Sequence, residues 1–138
     1  MGDAGHLFGE EHVRRYRETG GEVGHDWKGT QTLLLTTTGR TSGEPRTTPL
    51  IYGRDGDSVV IVASKGGAPD DPGWYRNLVA HPEAELQIHA EVFRARARDA
   101  EGAERERLWQ LMLGHWPAYD DYQANTERQI PVVVLERA

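Results

Sequence analysis

The 138-residue sequence contains no cysteine, which excludes a disulfide framework, a thiolate metal site and a cysteine nucleophile. No apolar run approaches the roughly 18 residues that a helix needs to span a membrane. The opening MGDAGHLFGE lacks the basic start and apolar core of a signal peptide, so we expect a cytoplasmic protein. The net charge of -6 provides none of the basic excess that general nucleic-acid binding requires. An acidic protein that binds an anion must therefore use a local cluster of cations.

Common catalytic and cofactor motifs are also absent from the sequence. It has neither GxGxxG nor a GxxxxGK pattern, so we predict neither a Rossmann dinucleotide site nor a P-loop. Ser42 and Ser64 lack a nucleophile-elbow sequence, which argues against a serine hydrolase. The histidines show no HxH or HxxxH spacing and share no face with carboxylates, so we predict no metal site. They are His6, His12, His25, His81, His89 and His115.

The pattern of strands and turns predicts a mainly β (α+β), single-domain fold. Apolar residues make up 37% of the chain, which is enough for one hydrophobic core at this length. About six β-branched or apolar runs with tight turns between them favour antiparallel pairing and a small closed or split barrel. The run SVVIVAS is almost continuously apolar, so we expect it to be buried on both faces. The predicted strands are 32–38, 46–54, 58–64, 84–100 as one or two strands, and 130–136.

Short helices are predicted at the N-terminus and between the strands. We expect a polar packing helix at 10–19, ended by two glycines, and another from residue 74 that stops before Pro82. Asp99 is expected to cap a third helix, in which Leu108, Leu111 and Met112 form the apolar stripe. A last short helix or turn is predicted at 118–128, and residues 1–9 are expected to be poorly ordered.

Two loops carry glycines, hydroxyls and cations directly after predicted strands. TTTGRTSGEPRTTP, at 36–49, places Arg40 and Arg46 on either side of a glycine-containing turn. ASKGGAPDDPGWY, at 63–75, places Ser64 and Lys65 after a buried strand and before two glycines. Backbone amides in such turns can point at an anion, and hydroxyls and cations complete the cradle. The two loops could therefore face one phosphate-bearing ligand; ordinary hairpin loops made soluble by charge are the alternative.

Three blocks of the sequence carry a family resemblance. LLLTTTGRTSGEPRTTPL, VIVASKGGAPDDPGWYRNLVAHPEAELQI and YDDYQANTERQIPVVVLER together resemble the deazaflavin-dependent nitroreductase and F420H2-dependent quinone reductase family. These are small actinobacterial proteins that use the 8-hydroxy-5-deazaflavin coenzyme F420. The resemblance covers about residues 28–137 and implies a split β-barrel like that of flavin-binding pyridoxamine-phosphate oxidases. We accordingly divide the chain into a flexible N-terminal segment with a short helix, 1–27, and a deazaflavin-binding barrel domain, 28–138.

The resemblance also implies which residues bind the coenzyme, whose phosphate and polyglutamyl tail make it strongly anionic. Arg40 and Arg46 match positions near the phosphate, and Ala63 and Ser64 match positions close to the deazaflavin ring. Thr41 replaces a common second cation, Gly73 a larger side chain, and Asn125 an aromatic residue found in some relatives. The positions implied at the coenzyme are Arg40, Thr41, Ser42, Gly43, Pro45, Arg46, Pro49, Ala63, Ser64, Lys65, Gly66, Gly73, Trp74, Tyr75 and Asn77.

The implied activity is hydride transfer from reduced F420 to a quinone, a nitroaromatic or a conjugated enone. Tyr119 and Tyr122 match tyrosines beside the substrate pocket, where a phenol can donate to a developing oxyanion, and Ser64 is a further candidate donor. A packed aromatic pair is the alternative for the tyrosines. For the whole protein the alternatives are a non-catalytic F420 carrier and an FMN- or heme-binding barrel. We expect a monomer or homodimer, with weak peripheral contact at the inner membrane face if the acceptor is a lipid quinone.

Overall fold

The computed structural model describes residues 9–138, in which four helices accompany one eight-stranded antiparallel sheet. The predicted poorly ordered start lies, apart from Gly9, outside the described residues. The strands are β1 (Asp26–Trp27), β2 (Thr30–Thr38), β3 (Pro45–Ile51), β4 (Gly53–Asp55), β5 (Ser58–Val62), β6 (Glu83–Ile88), β7 (Glu91–Asp99) and β8 (Val132–Arg137), and the helices are α1 (Gly9–Thr19), α2 (Gly73–Ala80), α3 (Gly102–Leu113) and α4 (Tyr119–Ala124).

The sheet runs in the order β1-β2-β6-β7-β8-β5-β4, and β3 pairs with β2 outside this path. Every pairing is antiparallel, as the tight turns predicted. The described part of the chain holds more strands than the six expected, because β1 has only two residues and the run at 46–54 divides at Tyr52. Within residues 9–138, no helix combines the length and the apolar character that crossing a membrane would take.

The core lies on both sides of β5, as its continuous apolar sequence predicted. Val59 and Ile61 pack with residues of β2, β6 and β8 in one buried cluster. Val60 and Val62 point the other way, into a second cluster that includes Leu108 of α3. Because successive side chains of a strand alternate between faces, burial of both sets requires cover on both sides. The end of β5 is therefore held firmly where the loop beginning at Ala63 leaves the sheet.

One predicted helix cap is wrong. Asp99 is the last residue of β7, and its carboxylate accepts a hydrogen bond of 2.6 Å from the Tyr75 hydroxyl. Helix α3 begins at Gly102 instead, with Glu101 in the N-cap position and without a side-chain cap bond. Leu108 and Met112 of this helix are buried, as predicted. The strand pairing of β7 with β8 extends to Asp99, which keeps that residue extended and unavailable as a cap.

Helix α1 packs on the sheet through two buried side chains, His12 and Tyr16. The Tyr16 hydroxyl donates to the Thr32 carbonyl oxygen at 3.1 Å and accepts from the His89 amide at 2.9 Å. The helix is thus tied both to β2 and to the turn between β6 and β7. The proposed domain boundary at residue 28 stays a prediction.

Two buried histidines, His12 of α1 and His25 before β1, should make the stability fall in mild acid. His12 Nε2 lies 2.7 Å from the Gly24 carbonyl oxygen, and His25 Nε2 lies 2.8 Å from the Tyr52 hydroxyl. Burial lowers the pKa of both side chains below the ordinary value. As the pH falls below about 6.5, the histidines of the unfolded chain take up protons before those of the folded chain do. The stabilisation contributed by the two neutral, buried histidines is therefore present above about pH 6.5 and is lost as the pH falls through their folded-state pKa values.

We expect the free energy of unfolding, measured by urea titration, to decrease from pH 7.5 to pH 5.5. His25→Gln should make this slope shallower, whereas His81→Gln, at an exposed histidine, should keep the wild-type slope. Equal slopes for all three proteins would contradict the assignment.

Candidate active site

A cavity of about 510 Å³ opens where the loop after β5 meets β3, α1 and α4. We call it the aromatic cavity, because three tryptophans and two tyrosines line it. Its predominantly apolar, concave wall with a few polar groups is typical of a site for a planar organic ligand. Of the residues predicted at the coenzyme or substrate, it brings together Pro49, Ser64, Lys65, Gly66, Trp74, Tyr119 and Tyr122.

A second cleft of about 380 Å³ contains both predicted arginines. We call it the arginine cleft; its lining includes Arg40, Arg46, Gly73 and Asn77. Thr48 and Trp74 line this cleft and the aromatic cavity alike, so the two spaces adjoin. One ligand with a planar ring and an anionic group can therefore reach both.

Asn77 holds the first loop against helix α2. Its Oδ1 accepts from the Arg40 backbone amide at 3.1 Å and from Arg40 Nη1 at 2.9 Å, and its Nδ2 donates to Thr37 Oγ1 at 3.1 Å. Asn77 is only 5% exposed, so these bonds satisfy a buried amide. Among the described residues Arg40 and Arg46 form no ion pair, which leaves both guanidinium charges available to an anion.

The tip of the first loop lies outside both spaces. Ser42 Oγ accepts from the Glu44 amide at 3.1 Å, and Gly43 has a φ of 71°, the left-handed conformation that favours glycine. Thr41, Ser42, Gly43 and Pro45 are exposed, and in the described chain they line neither the aromatic cavity nor the arginine cleft. Their contact with a coenzyme stays a prediction.

The second loop has three successive residues in the left-handed region: Lys65, Gly66 and Gly67, with φ of 47°, 63° and 84°. A Cβ at Gly67 would lie 2.8 Å from the Tyr122 carbonyl oxygen, so only glycine lets the loop approach α4 this closely. Lys65 Nζ donates to Asp70 Oδ2 at 3.0 Å, which compensates the charge of this lysine. The loop thus presents Ser64 and Gly66 to the cavity while its own cation is paired.

Arg128 fastens this loop, although no motif in the sequence points to it. Its guanidinium donates to the carbonyl oxygens of Ala68, Ala63 and Ser64 at 2.9, 3.2 and 2.8 Å, and to Asp71 Oδ1 at 2.8 Å. Its side chain is only 14% exposed. Ala63 is fully buried and does not line the aromatic cavity, so its contact with a deazaflavin ring stays a prediction. Four bonds from one planar group fix the position of Ser64.

The two predicted tyrosines lie on α4 and face the cavity. Tyr119 is 5% exposed, and its ring packs against those of Trp109 and Tyr122. Burial, together with the neighbouring Tyr122, raises the pKa of Tyr119 well above its ordinary value, so its hydroxyl keeps its proton. Within residues 9–138 no hydrogen-bond partner occupies this hydroxyl. The Tyr122 oxygen accepts from Trp116 Nε1 at 3.2 Å, which leaves the Tyr122 proton free to donate.

Three further aromatic residues line the cavity that no sequence motif predicted there: His12, Trp27 and Trp116. Trp27 and Trp116 stack with ring centroids 6.0 Å apart, and His12 lies 6.1 Å from Trp27. These residues lie far apart in the sequence, so they form no recognisable motif. The only signal in the sequence is that the chain contains four tryptophans, a residue type that often contacts a ligand or the core. Tyr75, by contrast, binds Asp99 and lines a separate cleft.

Similarity to known proteins now decides the family. A family model described as F420H(2)-dependent quinone reductase matches residues 8–137. The chain belongs to this family. An F420H(2)-dependent quinone reductase of Mycobacterium tuberculosis is 45% identical over 130 residues, covering 91% of this chain and 87% of the relative. The family assignment made from the three sequence blocks is confirmed.

Two solved structures show the fold of this F420H(2)-dependent quinone reductase family member. One, an F420-H2 dependent reductase (FDR-A), is 42% identical with a TM-score of 0.71, covering 76% of this chain and 93% of that one. The other, described as a domain-swapped dimer, is 38% identical with a TM-score of 0.74, covering 92% and 95%. The predicted split β-barrel is confirmed.

Proposed function

We propose that the protein transfers a hydride from reduced F420 to a quinone, and to nitroaromatics and conjugated enones as further acceptors. The observation that carries this proposal is the junction of the aromatic cavity with the arginine cleft at Thr48 and Trp74. A ring in the first space and a phosphate in the second would occupy both at once. Membership of an F420H(2)-dependent family supports this coenzyme and this reaction.

The residues present fit F420. Arg40 and Arg46 carry guanidinium groups without carboxylate partners in the described chain, and a planar guanidinium can bind a phosphate through two hydrogen bonds. Pro49 and Trp74 supply apolar walls that keep water from a ring in the aromatic cavity. Ser64 and Gly66 lie on the loop that Arg128 fastens, so the backbone beside that ring is preorganised.

When bound, reduced F420 supplies the hydride, and the protein supplies orientation and electrostatics. Negative charge develops on the acceptor oxygen as the hydride arrives, and a preorganised donor at that point lowers the barrier. The Tyr119 hydroxyl, protonated and unoccupied within the described chain, is the principal donor. Tyr122 and Ser64 are the second and third donors facing the same space.

The cofactor assignment predicts that the protein binds F420 at least about tenfold more tightly than FMN, a difference of about 1.4 kcal/mol. Arg46→Gln should weaken F420 binding about tenfold or more, since a hydrogen bond to a charged group contributes roughly 1.5–3 kcal/mol. Arg46→Lys keeps the charge but cannot form two parallel hydrogen bonds to a phosphate, so its F420 affinity should lie between those of the wild type and Arg46→Gln. Fluorescence titration measures each dissociation constant.

Arg94→Gln, at an exposed arginine of β7, is the matched control for loss of one charge and should bind F420 like the wild type. Equal affinities for F420 and FMN would overturn the cofactor assignment. Turnover of reduced F420 with menadione then separates a reductase from a non-catalytic carrier. Absorbance of the purified protein separates F420 from the FMN or heme alternatives.

We also propose a cytoplasmic location, a monomeric or homodimeric state, and weak peripheral contact with the inner membrane face when the acceptor is a lipid quinone. The 38% identical structure described as a domain-swapped dimer supports the homodimer. Light scattering measures the oligomeric state. Stable pelleting with membranes in high salt would contradict the peripheral assignment, because weak electrostatic contacts are screened there.

A further inference from the structure

We propose that Trp109 of helix α3 is a positioning residue for the reaction, because its hydrogen bond to Asp120 sets where the Tyr119 hydroxyl lies. The inference rests on the proposed role of Tyr119 as donor to the acceptor oxygen. Trp109 is not among the described residues that line the aromatic cavity. It therefore influences the reaction only through the side chains that it holds.

Helix α4, which carries Tyr119, needs contacts from outside to hold its place. It has only six residues, and its N-cap residue, Ala118, provides no side-chain cap bond. A helix of fewer than two turns is marginal by itself, since its few hydrogen bonds do not offset the cost of nucleation. The position of the Tyr119 hydroxyl thus depends on what fastens the first turn of α4 to the rest of the fold.

Trp109 fastens this turn by two contacts. Its Nε1 donates to Asp120 Oδ1 at 2.7 Å, and its ring packs against that of Tyr119 with the centroids 6.2 Å apart. An indole N–H can only donate, and at 8% exposure Trp109 needs this partner. Because Asp120 directly follows Tyr119 in the chain, a bond to the Asp120 side chain restrains the backbone from which Tyr119 projects.

The Trp109 ring is itself held in place. The Arg105 guanidinium, one helical turn earlier on α3, lies 5.0 Å from the ring centroid in a cation–π contact. Arg105 Nη2 also donates to the Ile130 carbonyl oxygen at 2.6 Å, and the Ile130 amide donates to Gln123 Oε1 of α4 at 2.9 Å. The indole therefore belongs to a network that joins α3, α4 and the segment before β8, and its bond to Asp120 starts from a fixed point.

The test is a double-mutant cycle with Tyr119. Trp109→Phe keeps an aromatic ring and removes the N–H, so it should lower kcat/KM for menadione about 10- to 100-fold, since a misplacement of about 1 Å can cost that much. The affinity for F420, measured by fluorescence titration, should stay that of the wild type. In Tyr119→Phe protein, which has no hydroxyl left to misplace, Trp109→Phe should cause no further loss. A residue with a merely structural role would lower activity by the same factor in both backgrounds.

Substitutions at Asp120 test the same bond from its exposed partner, where the fold does not depend on the side chain. Asp120→Asn keeps an oxygen that accepts from the indole and should retain most of the activity, whereas Asp120→Ala should match Trp109→Phe. Asp121→Ala removes the other exposed carboxylate of the same helical turn, so it is the matched control and should behave like the wild type. Circular dichroism checks the fold of each variant. If Trp109→Phe does not fold, Asp120→Ala in the two Tyr119 backgrounds decides the question.

Three results overturn the inference in distinguishable ways. If the Trp109 and Asp120 variants keep full activity, or lose it equally with and without the Tyr119 hydroxyl, Trp109 does not position the donor and the proposed function stands. If Tyr119→Phe alone keeps full activity, the donor assignment fails and the inference fails with it. If the wild-type protein does not oxidise reduced F420 with menadione, the proposed function itself fails.

Discussion

Tyr119→Phe should lower kcat/KM about 100- to 1000-fold, the range observed when one donor to a developing oxyanion is removed. The affinity for the coenzyme should stay nearly unchanged, because the charge that this hydroxyl meets develops only during hydride transfer. The ring of Tyr119 is buried against Trp109 and Tyr122, so phenylalanine keeps the packing and removes only the hydroxyl. Steady-state assays with several acceptors, after titration with coenzyme, measure the two quantities separately.

Two further Tyr→Phe variants serve as controls for the loss of the Tyr119 hydroxyl. Tyr122→Phe should have a smaller effect, because the Tyr122 hydroxyl also serves the Trp116 indole and is less dedicated to the acceptor. Tyr16→Phe removes a hydroxyl that bonds Thr32 and His89, so it should cost about 1–3 kcal/mol of stability yet keep kcat/KM per folded molecule. If Tyr119→Phe and Tyr122→Phe both keep full activity with every acceptor, the tyrosines are a packed aromatic pair.

Arg128→Lys should lower kcat/KM about 100-fold, since displacement of a positioning element by about 1 Å can cost that much. Lysine retains the charge, but its single nitrogen cannot span three carbonyl oxygens and the Asp71 carboxylate. Part of the loop from Ala63 to Asp71 should then leave its position, and Ser64 with it. Unfolding should also become easier by about 1–3 kcal/mol, because buried carbonyl oxygens lose their hydrogen-bond donors.

The matched control is Arg107→Lys, at an exposed arginine paired with Asp55, which should change stability by less than about 1 kcal/mol and leave activity intact. Arg128→Ala offers a second measurement, in which millimolar guanidinium should restore part of the coenzyme affinity by filling the vacated position. Full activity of Arg128→Lys, or wild-type coenzyme affinity of a normally folded Arg128→Ala without guanidinium, would show that the loop holds its shape without this side chain.

The strands were predictable because their signals are local. The alternation of faces in β5 and the β-branched run of β2 are properties of consecutive residues, and both strands occur as expected. The Asp99 cap failed because a nonlocal pairing with β8 extends the strand to that residue. A local capping preference contributes about 1 kcal/mol, and strand pairing outweighs it here.

The candidate site was predictable only in part. The two glycine-containing loops could be read from sequence as places where a backbone approaches an anion, and the structure brings Arg40, Arg46, Ser64 and Lys65 to two adjoining spaces. The sequence could not show that Asn77 is buried and holds the first loop by hydrogen bonds, because its partners Thr37 and Arg40 lie 40 and 37 residues away. His12, Trp27 and Trp116 come from α1, β1 and the segment between α3 and α4, and only the tertiary contacts of Trp27 with the other two rings make them one wall.

By itself, the sequence determined the strand runs, the glycine positions that permit left-handed turns, the cations near them and, through three blocks, the family. Only the tertiary structure decided which of those cations remain unpaired: Lys65 is bound by Asp70, whereas Arg46 has no ion pair within residues 9–138. It also decided the role of Arg128, whose partners lie 57 to 65 residues earlier and are mostly backbone carbonyls. Every residue carries a carbonyl, so a side chain that binds one leaves no pattern in the partner's sequence, and only the folded chain shows which carbonyls converge.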